Sequence, residues 1–520
     1  MNRAAMLSRI RARREPWDLV IVGGGATGIG IAVDAASRGY EVLLCERADF
    51  GKGTSSRSTK LVHGGVRYLE QGNIGLVLEA LKERGILRRN APHLVRDLAF
   101  VVPNYDWWEA PLYGFGLKVY DLLAGQYGFG PSQILSREQT LERLPTIRTE
   151  GLRGGVVYYD GQFDDARLLI NLATTAVEQG ATLANYVQVV AFTRSADGFL
   201  DGIVAREVET GEALTARARV VINAAGPFAD HVRRMADPGI KPLIAPSQGI
   251  HLVLDRSFLP GDSAIMIPRT NDGRVMFAIP WHGHALVGTT DTPIDEFPLE
   301  PCPMEEEIDL VLTTAGTYLR KPPSKGDVLS MFAGIRPLIK SGEGRLTAAL
   351  SRDHSIQIDG SGLLTIAGGK WTTYRRMAED CLNQAAVLAR LPDKPCVTAR
   401  LMIHGSHQQA EQFGHLSVYG SDAPAVQDLM NRDAALAQPL HRALSYCGAE
   451  VVWATRCEMA RTVEDVLARR TRALFLNARA AIEMAPRVAE LMAGELGQNE
   501  AWEAEQLRQF QTVAGSYVVR

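Results

Sequence analysis

The 520-residue sequence predicts an α/β protein with a separate all-α region at its C-terminus. Three observations predict it. An apolar strand, a glycine-rich turn and an alanine-rich helix follow one another near the N-terminus. Alternating strand and helix patterns, punctuated by GGGATG, HGG, AAGP and AGGK, continue to about residue 395. Beyond residue 409, β-branched alternation gives way to Ala, Leu, Glu and Arg at amphipathic helical spacing. A chain of this length needs more than one hydrophobic core. With 46% hydrophobic and 22% charged residues and 49 glycines, it has the composition of a folded enzyme, not of a disordered or fibrous chain.

The first fifteen residues carry Arg3, Arg9, Arg11, Arg13 and Arg14 without the apolar core of a secretory signal. They read as a solvated basic arm, with weak attraction to anionic lipid as the functional alternative. The uncharged stretch from Leu19 to Val33 is too short to span a bilayer and is interrupted by glycines, so it reads as buried strand and turn. A formal net charge of −3 gives no general attraction to nucleic acid, and no nucleic-acid signature is found. Six scattered cysteines form no Cys-x-x-Cys pair, which argues against a zinc site or a disulfide framework and fits a reducing compartment.

The segment DLVIVGGGATGIGIAVDAASRGYEVLLCE holds the cofactor signal. Gly23 permits a tight turn, Gly25 lets backbone approach a pyrophosphate at the helix N-terminus, and Gly28 lets the helix pack closely on the strand. This is the Rossmann-type arrangement. Glu46 ends the second strand, 46 − 28 = 18 residues beyond the last glycine, where an acid accepts ribose hydroxyls and disfavours a 2′-phosphate. The triad alone does not separate FAD from NAD.

The next stretch does. FGKGTSSRSTKLVHGGVRYL, Phe50 to Leu69, resembles flavin oxidoreductases, and TSSRSTKLVHGGVRYLE resembles the FAD-dependent glycerol-3-phosphate dehydrogenase family. The likeness continues through YYDGQFDDARL (158–168), VVINAAGPFAD (220–230), AIPWHGHALVGTTD (278–291), GIRPL (334–338), LSRDHSI (350–356) and AGGKWTTYRRMAED (367–380), and reaches the C-terminal RTVEDVLARRTRALFLN. It covers most of the chain. One departure is Ala225, where many flavoproteins have threonine; the turn still offers Gly226.

The resemblance implies a Rossmann-type FAD-binding domain interleaved with a β-rich substrate domain within residues 17–395. The substrate part lies mainly at 75–150 and 240–335, with a linker at 396–408 and an all-α domain at 409–520. It implies FAD held by Gly23, Gly25, Ala26, Thr27, Gly28 and Glu46, then by Thr54, Ser55, Ser56, Ser58, Leu61, His63, Gly64 and Gly65. Further contacts come from Val189, Ala224, Gly226, Gly334, Gly368, Gly369, Lys370 and Thr372. Its reaction is the oxidation of sn-glycerol 3-phosphate to dihydroxyacetone phosphate by hydride transfer to the flavin N5.

Such an oxidation needs a proton acceptor and positioning cations. His63 in KLVHGG and His251 in SQGIHLVL fall in motifs the resemblance sets near flavin and substrate, and either serves as the base. Taken alone, a histidine is more often structural. His282, His284, His404 and His407 lack a carboxylate partner in a helical ligand spacing and read as loop residues, so no metal is expected. By resemblance, Arg336 lies beside the reacting hydroxyl, while Arg67, Arg352 and Lys370 grip the phosphate. Tyr68 lines the pocket, or packs with its hydroxyl satisfied.

The electrons pass to a membrane quinone or, as the alternative, to dioxygen in a glycerophosphate oxidase; an amino-acid or amine oxidase is a more distant rival. Residues 105–129, YDWWEAPLYGFGLKVYDLLAGQYGF, are rich in aromatics, as expected at a membrane interface, although a buried helix would use the same pattern. No Asp-x-Asp-x-Asp-Gly loop follows residue 400, unlike animal mitochondrial relatives. The chain therefore reads as a bacterial, cytoplasmic member, peripheral on the inner face of the cytoplasmic membrane, and a homodimer is compatible with it.

Overall fold

The computed structural model describes residues 1–65, 73–106, 109–268, 275–340 and 354–519, except the side chains of residues 110 and 112. Its first helix, Arg3–Ala12, starts at Asn2, whose side chain accepts from the Ala5 N–H, and it buries Leu7 and Ile10. Four of the segment's five arginines are paired: Arg3 with Glu207, Arg9 and Arg13 with Glu41, Arg11 with Glu212. A solvated basic arm is thus replaced by a docked helix, because carboxylates distant in sequence converge on it. That pairing also leaves less free charge for lipid.

Strand Trp17–Val22 lies parallel between Ala213–Asn223 and Val42–Cys45. Leu364–Gly368 and Thr182–Ala184 extend this sheet in parallel, and His354–Ile358 closes one edge antiparallel. Leu19, Val20 and Ile21 are all fully buried, as a parallel strand covered on both faces requires. Helix Ala26–Ser37 packs on helix Tyr374–Leu388, and at Gly30 a Cβ would stand 2.8 Å from the Tyr374 ring.

The chain then crosses, through residues 46–63, to a second, ten-stranded sheet that is mostly antiparallel. Its longest pairings are Ile244–Asp255 with Val328–Ile339, and Val95–Asn104 with Gly154–Phe163. These put His251 and Arg336 on neighbouring strands of one sheet.

Helices Ala423–Arg432, Gly448–Cys457, Ala478–Leu496 and Glu500–Ala514 dominate the C-terminal region. A small hairpin, Pro439–His441 with Leu444–Cys447, adds strands the sequence pattern did not announce. This region shares a core with the second sheet: the Phe475 ring meets Phe332 at 4.8 Å and Tyr517 at 5.5 Å. RTVEDVLARRTRALFLN is not the amphipathic helix expected. Asp465–Arg470 is a π-helical turn, and Asp465, Arg469, Arg470 and Arg472 are at most 2% exposed. The arginines are buried because segments far earlier in the chain supply their counter-charges: Asp49 for Arg469 and Arg470, Asp164 and Asp165 for Arg472.

Candidate active site

A cavity of about 480 Å³ joins the two sheets. The strand ends of the first sheet contribute Val22, Glu46, Ala224, Gly368 and Gly369. The crossing segment contributes Thr54, Ser55, Ser58, Thr59, Leu61 and His63. The second sheet contributes Gly249, His251, Gly334 and Arg336. Gly23, Gly25, Ala26, Thr27, Val189, Gly226, Lys370 and Thr372 also line it. Most of the positions singled out in the sequence therefore face one space.

The glycines are dictated by contact. Gly23 has φ +114°, and a Cβ there would stand 2.6 Å from the Ala224 carbonyl oxygen; at Gly28 it would stand 2.0 Å from the Gly23 oxygen. Gly25 caps helix Ala26–Ser37 without a side-chain hydrogen bond, and first-turn N–H groups have no acceptor within their own helix. Ser55 Oγ accepts from the Ala26 N–H at 2.9 Å. Glu46 accepts from the Gly24 N–H at 2.7 Å and the Ala48 N–H at 2.9 Å, while burial raises its pKa. The carboxylate thus shapes the glycine loop as well as lining the cavity.

Four candidates do not line the cavity. Gly28 lies beneath the loop, and Ser56 is buried. At Gly64 a Cβ would meet the Tyr120 hydroxyl at 2.3 Å, so that glycine answers to packing. Gly65 follows it with φ +79°. Arg67, Tyr68 and Arg352 lie outside the described residues, as do Trp107 and Trp108.

Arg336 Nη1 donates to the Gln248 carbonyl and to Asp291 Oδ1, both at 3.3 Å, and Nη2 to Thr289 Oγ1 at 3.1 Å. Asp291 is in turn bonded by the buried Ser247 hydroxyl. Gly249 makes room: a Cβ there would reach the guanidinium at 2.4 Å. His251 is 2% exposed, and its Nε2 lies 2.9 Å from Thr59 Oγ1. Burial first, then the Lys60 and Arg336 charges, hold its pKa well below the ordinary histidine value. The His63 carbonyl accepts from the Thr372 hydroxyl at 3.5 Å.

Sequence reasoning passed over Lys60 and Asp165. Lys60 is fully buried and donates to Asp165 at 2.8 Å; burial, its largest influence, lowers its pKa to about 8. Its neighbour Thr59 carried the only available hint, since both stand inside the hydroxyl-rich TSSRSTKL run. Arg47 was also missed; it lies 4.1 Å over the Phe228 ring, and both line the cavity.

The histidine pairs need correction. His282 Nε2 stands 3.0 Å from Asp164, and His404 lies 2.7 Å from both Glu178 and Asp422. The carboxylates absent from the local spacing come from distant segments. His284 Nδ1 faces the His282 carbonyl at 2.8 Å, and His407 packs on Phe413. Among the described residues one group, His415, Cys447 and Glu450, has ligand atoms within 4.8 Å of one another. The capping box at the start of helix Gly448–Cys457 accounts for Cys447 and Glu450 lying together.

Residues 18–375 match the family described as FAD dependent oxidoreductase, and residues 363–506 match the C-terminal domain of alpha-glycerophosphate oxidase. The chain is 40% identical to the mitochondrial glycerol-3-phosphate dehydrogenase of Mus musculus, over 97% of this chain and 74% of that one. The mitochondrial enzyme of Arabidopsis thaliana is also 40% identical, over 92% and 83%. The glycerol-3-phosphate dehydrogenase of Bacillus halodurans, solved in complex with FAD, superposes with a TM-score of 0.81 at 31% identity, covering 99% of this chain and 97% of that one. L-alpha-glycerophosphate oxidase from Mycoplasma pneumoniae shares the fold at a TM-score of 0.58 and 17% identity, covering 74% and 98%.

Proposed function

The chain belongs to the FAD-dependent glycerol-3-phosphate dehydrogenase family, and from that premise we propose that it oxidises sn-glycerol 3-phosphate to dihydroxyacetone phosphate and passes the electrons to a membrane quinone. One observation carries the reading: a single cavity runs from Gly23 and Gly25 to Arg336, His251 and Lys370. FAD, when bound, supplies the hydride acceptor. The residues fit it. Gly23 and Gly28 stand where any Cβ would collide, and the helix start at Gly25, which has no capping side chain of its own, suits a pyrophosphate. Glu46, Thr54, Ser55, Gly368, Gly369 and Thr372 would complete the hold.

The chain's own residues then have distinct tasks. Arg336, fixed by Asp291, Thr289 and the Gln248 carbonyl, favours the negative charge that grows on the substrate oxygen as its proton leaves. His251, kept neutral by burial and two neighbouring cations, offers a lone pair for that proton. His63 lines the same cavity and is the second candidate. Lys370, with Arg67 and Arg352 carried from the sequence motifs, meets the phosphate.

Peripheral contact with the membrane is supported by helix Glu109–Ala124. Its Phe115 and Leu122, seven residues apart on one face, are 75% and 81% exposed, and Ile134 beside Gly114 is 63% exposed. No helix among the described residues is long and apolar enough to cross a membrane. The test is acceptor use on liposomes. Native protein should float with the vesicles and reduce quinone without forming peroxide, whereas Phe115→Glu with Leu122→Glu should lose flotation and quinone reduction but keep dye reduction. Stoichiometric peroxide would favour the oxidase reading.

A further inference from the structure

We propose that the Thr59 hydroxyl relays the substrate's proton to His251 Nε2, and that Asp165 holds Thr59 in place for this task. The inference rests on the reading of His251 as proton acceptor.

Packing fixes the plane of the imidazole but not its direction. Phe332 stacks on the ring at 5.0 Å with an interplanar angle of 18°, and a Cβ at Gly288 would stand 2.5 Å from His251 Cδ2. A half-turn of the ring would satisfy both contacts equally well. What distinguishes the two orientations is one polar contact, Nε2 to Thr59 Oγ1 at 2.9 Å. Nδ1 is enclosed and has no hydrogen-bond partner among the described residues. Turning the ring over would break that contact, and an enclosed polar group resists losing its partner.

Thr59 is itself held from both sides. The Ser58 N–H and hydroxyl donate to Asp165 Oδ2 at 3.1 and 2.7 Å. Lys60 Nζ donates to the same carboxylate at 2.8 and 3.0 Å, and to the Ser56 carbonyl at 2.7 Å. Lys60 has φ +63°, a left-handed conformation that a lysine adopts rarely, and its buried ammonium contacts secure it there. Arg472, from the C-terminal region, closes on Asp165 from the far side. One buried carboxylate therefore anchors the residues before and after Thr59, and the hydroxyl between them faces both the cavity and the imidazole.

A hydroxyl suits both charge states of the ring. Before transfer, Thr59 Oγ–H donates to the Nε2 lone pair; afterwards its oxygen accepts from the new Nε2–H. In the transfer the substrate O–H bond and the old Thr59 Oγ–H bond break while a new Oγ–H bond and the Nε2–H bond form, so Thr59 ends as a hydroxyl again and the ring passes from neutral to cationic. The charged groups facing His251 are Lys60 and Arg336, both cationic. Thr59 is then the neutral group that accepts the cation's N–H.

The test compares Thr59→Val and Thr59→Ser in the FAD-loaded protein, by anaerobic single-turnover bleaching of the flavin with glycerol 3-phosphate and by the pH profile of kcat/KM. Thr59→Val should slow flavin reduction roughly 10- to 100-fold. Its KM and FAD content should stay near native, and the acidic limb of the profile should move to lower pH. Thr59→Ser should restore the native rate and limb. If Thr59→Val fails to retain flavin, Thr59→Ala takes its place with the same expectation. Native behaviour in the hydroxyl-free variant, or equal loss in Thr59→Ser, would overturn the proposal. His251→Asn separates the two levels: a native rate there removes the His251 reading itself, whereas a slow His251→Asn beside a native Thr59→Val overturns Thr59 alone.

Discussion

The cofactor cavity and the charged seam beneath it are made of opposite materials. The cavity is lined by glycines, hydroxyl side chains, histidines and apolar groups, with a few cations and the single carboxylate of Glu46 among them. The seam is a chain of buried ion pairs: Asp49 with Arg469 and Arg470, Asp165 with Lys60 and Arg472, Arg167 with Glu458. Spacing differs as well. The glycine cradle is complete within six residues, whereas the Asp49–Arg470 bond spans 421 positions and the Asp165–Arg472 bond 307. The part that holds the ligand is thus written locally, and the part that holds the cavity in shape is written across the whole chain.

If the seam supports the cavity, breaking it should cost folding stability first. Asp49→Asn removes the shared counter-charge of two buried arginines, and loss of one partner from such a buried set costs about 3–5 kcal/mol. Chemical denaturation should show that drop, and an unchanged midpoint would mean the pairs are energetically idle. The cavity should respond in the reverse way. Arg336→Ala should reduce turnover by about 2.7 to 4 kcal/mol in barrier, as for other groups that stabilise developing charge, while FAD stays bound and the denaturation midpoint moves little. Arg336→Lys should also be poor, because an ammonium cannot reproduce the guanidinium fork that meets Asp291, Thr289 and Gln248.

A smaller effect sharpens the contrast through pH. Glu450, buried in the C-terminal region, has its pKa pushed up to about 7, chiefly by burial. The folded protein then binds a proton at this site more tightly than the unfolded chain, so stability should fall as pH rises from about 4.5 through 7. Glu450→Gln should flatten that fall by roughly 1 to 3 kcal/mol, read as the difference between denaturation curves at pH 5 and pH 8. Parallel curves for the two proteins would show that Glu450 stays ionised.

The same contrast explains what the sequence disclosed. Gly23, Gly25, Gly28 and Glu46 were legible because strand, turn, helix and acid follow in fixed order. Arg336, His251 and Lys370 were legible only through motif likeness, since nothing local marks an arginine in GIRPL as a cavity residue. The C-terminal Arg469, Arg470 and Arg472 looked like the polar face of a helix because their counter-charges, Asp49, Asp164 and Asp165, lie hundreds of residues away. The N-terminal arginines misled in the same way, as did His282 and His404, whose carboxylates come from other segments. Thr59 and Lys60 sat inside a recognised motif, yet their tasks depend on Asp165 and His251, contacts that periodicity does not encode.

The most direct measurement of the whole account is the absorbance of the purified, FAD-loaded protein mixed anaerobically with glycerol 3-phosphate. The flavin should bleach in one phase with one dihydroxyacetone phosphate formed per flavin, while glycerol, which lacks the phosphate, leaves the spectrum unchanged. A flavin that stays oxidised with glycerol 3-phosphate but bleaches with an amino acid or an unphosphorylated alcohol would contradict it.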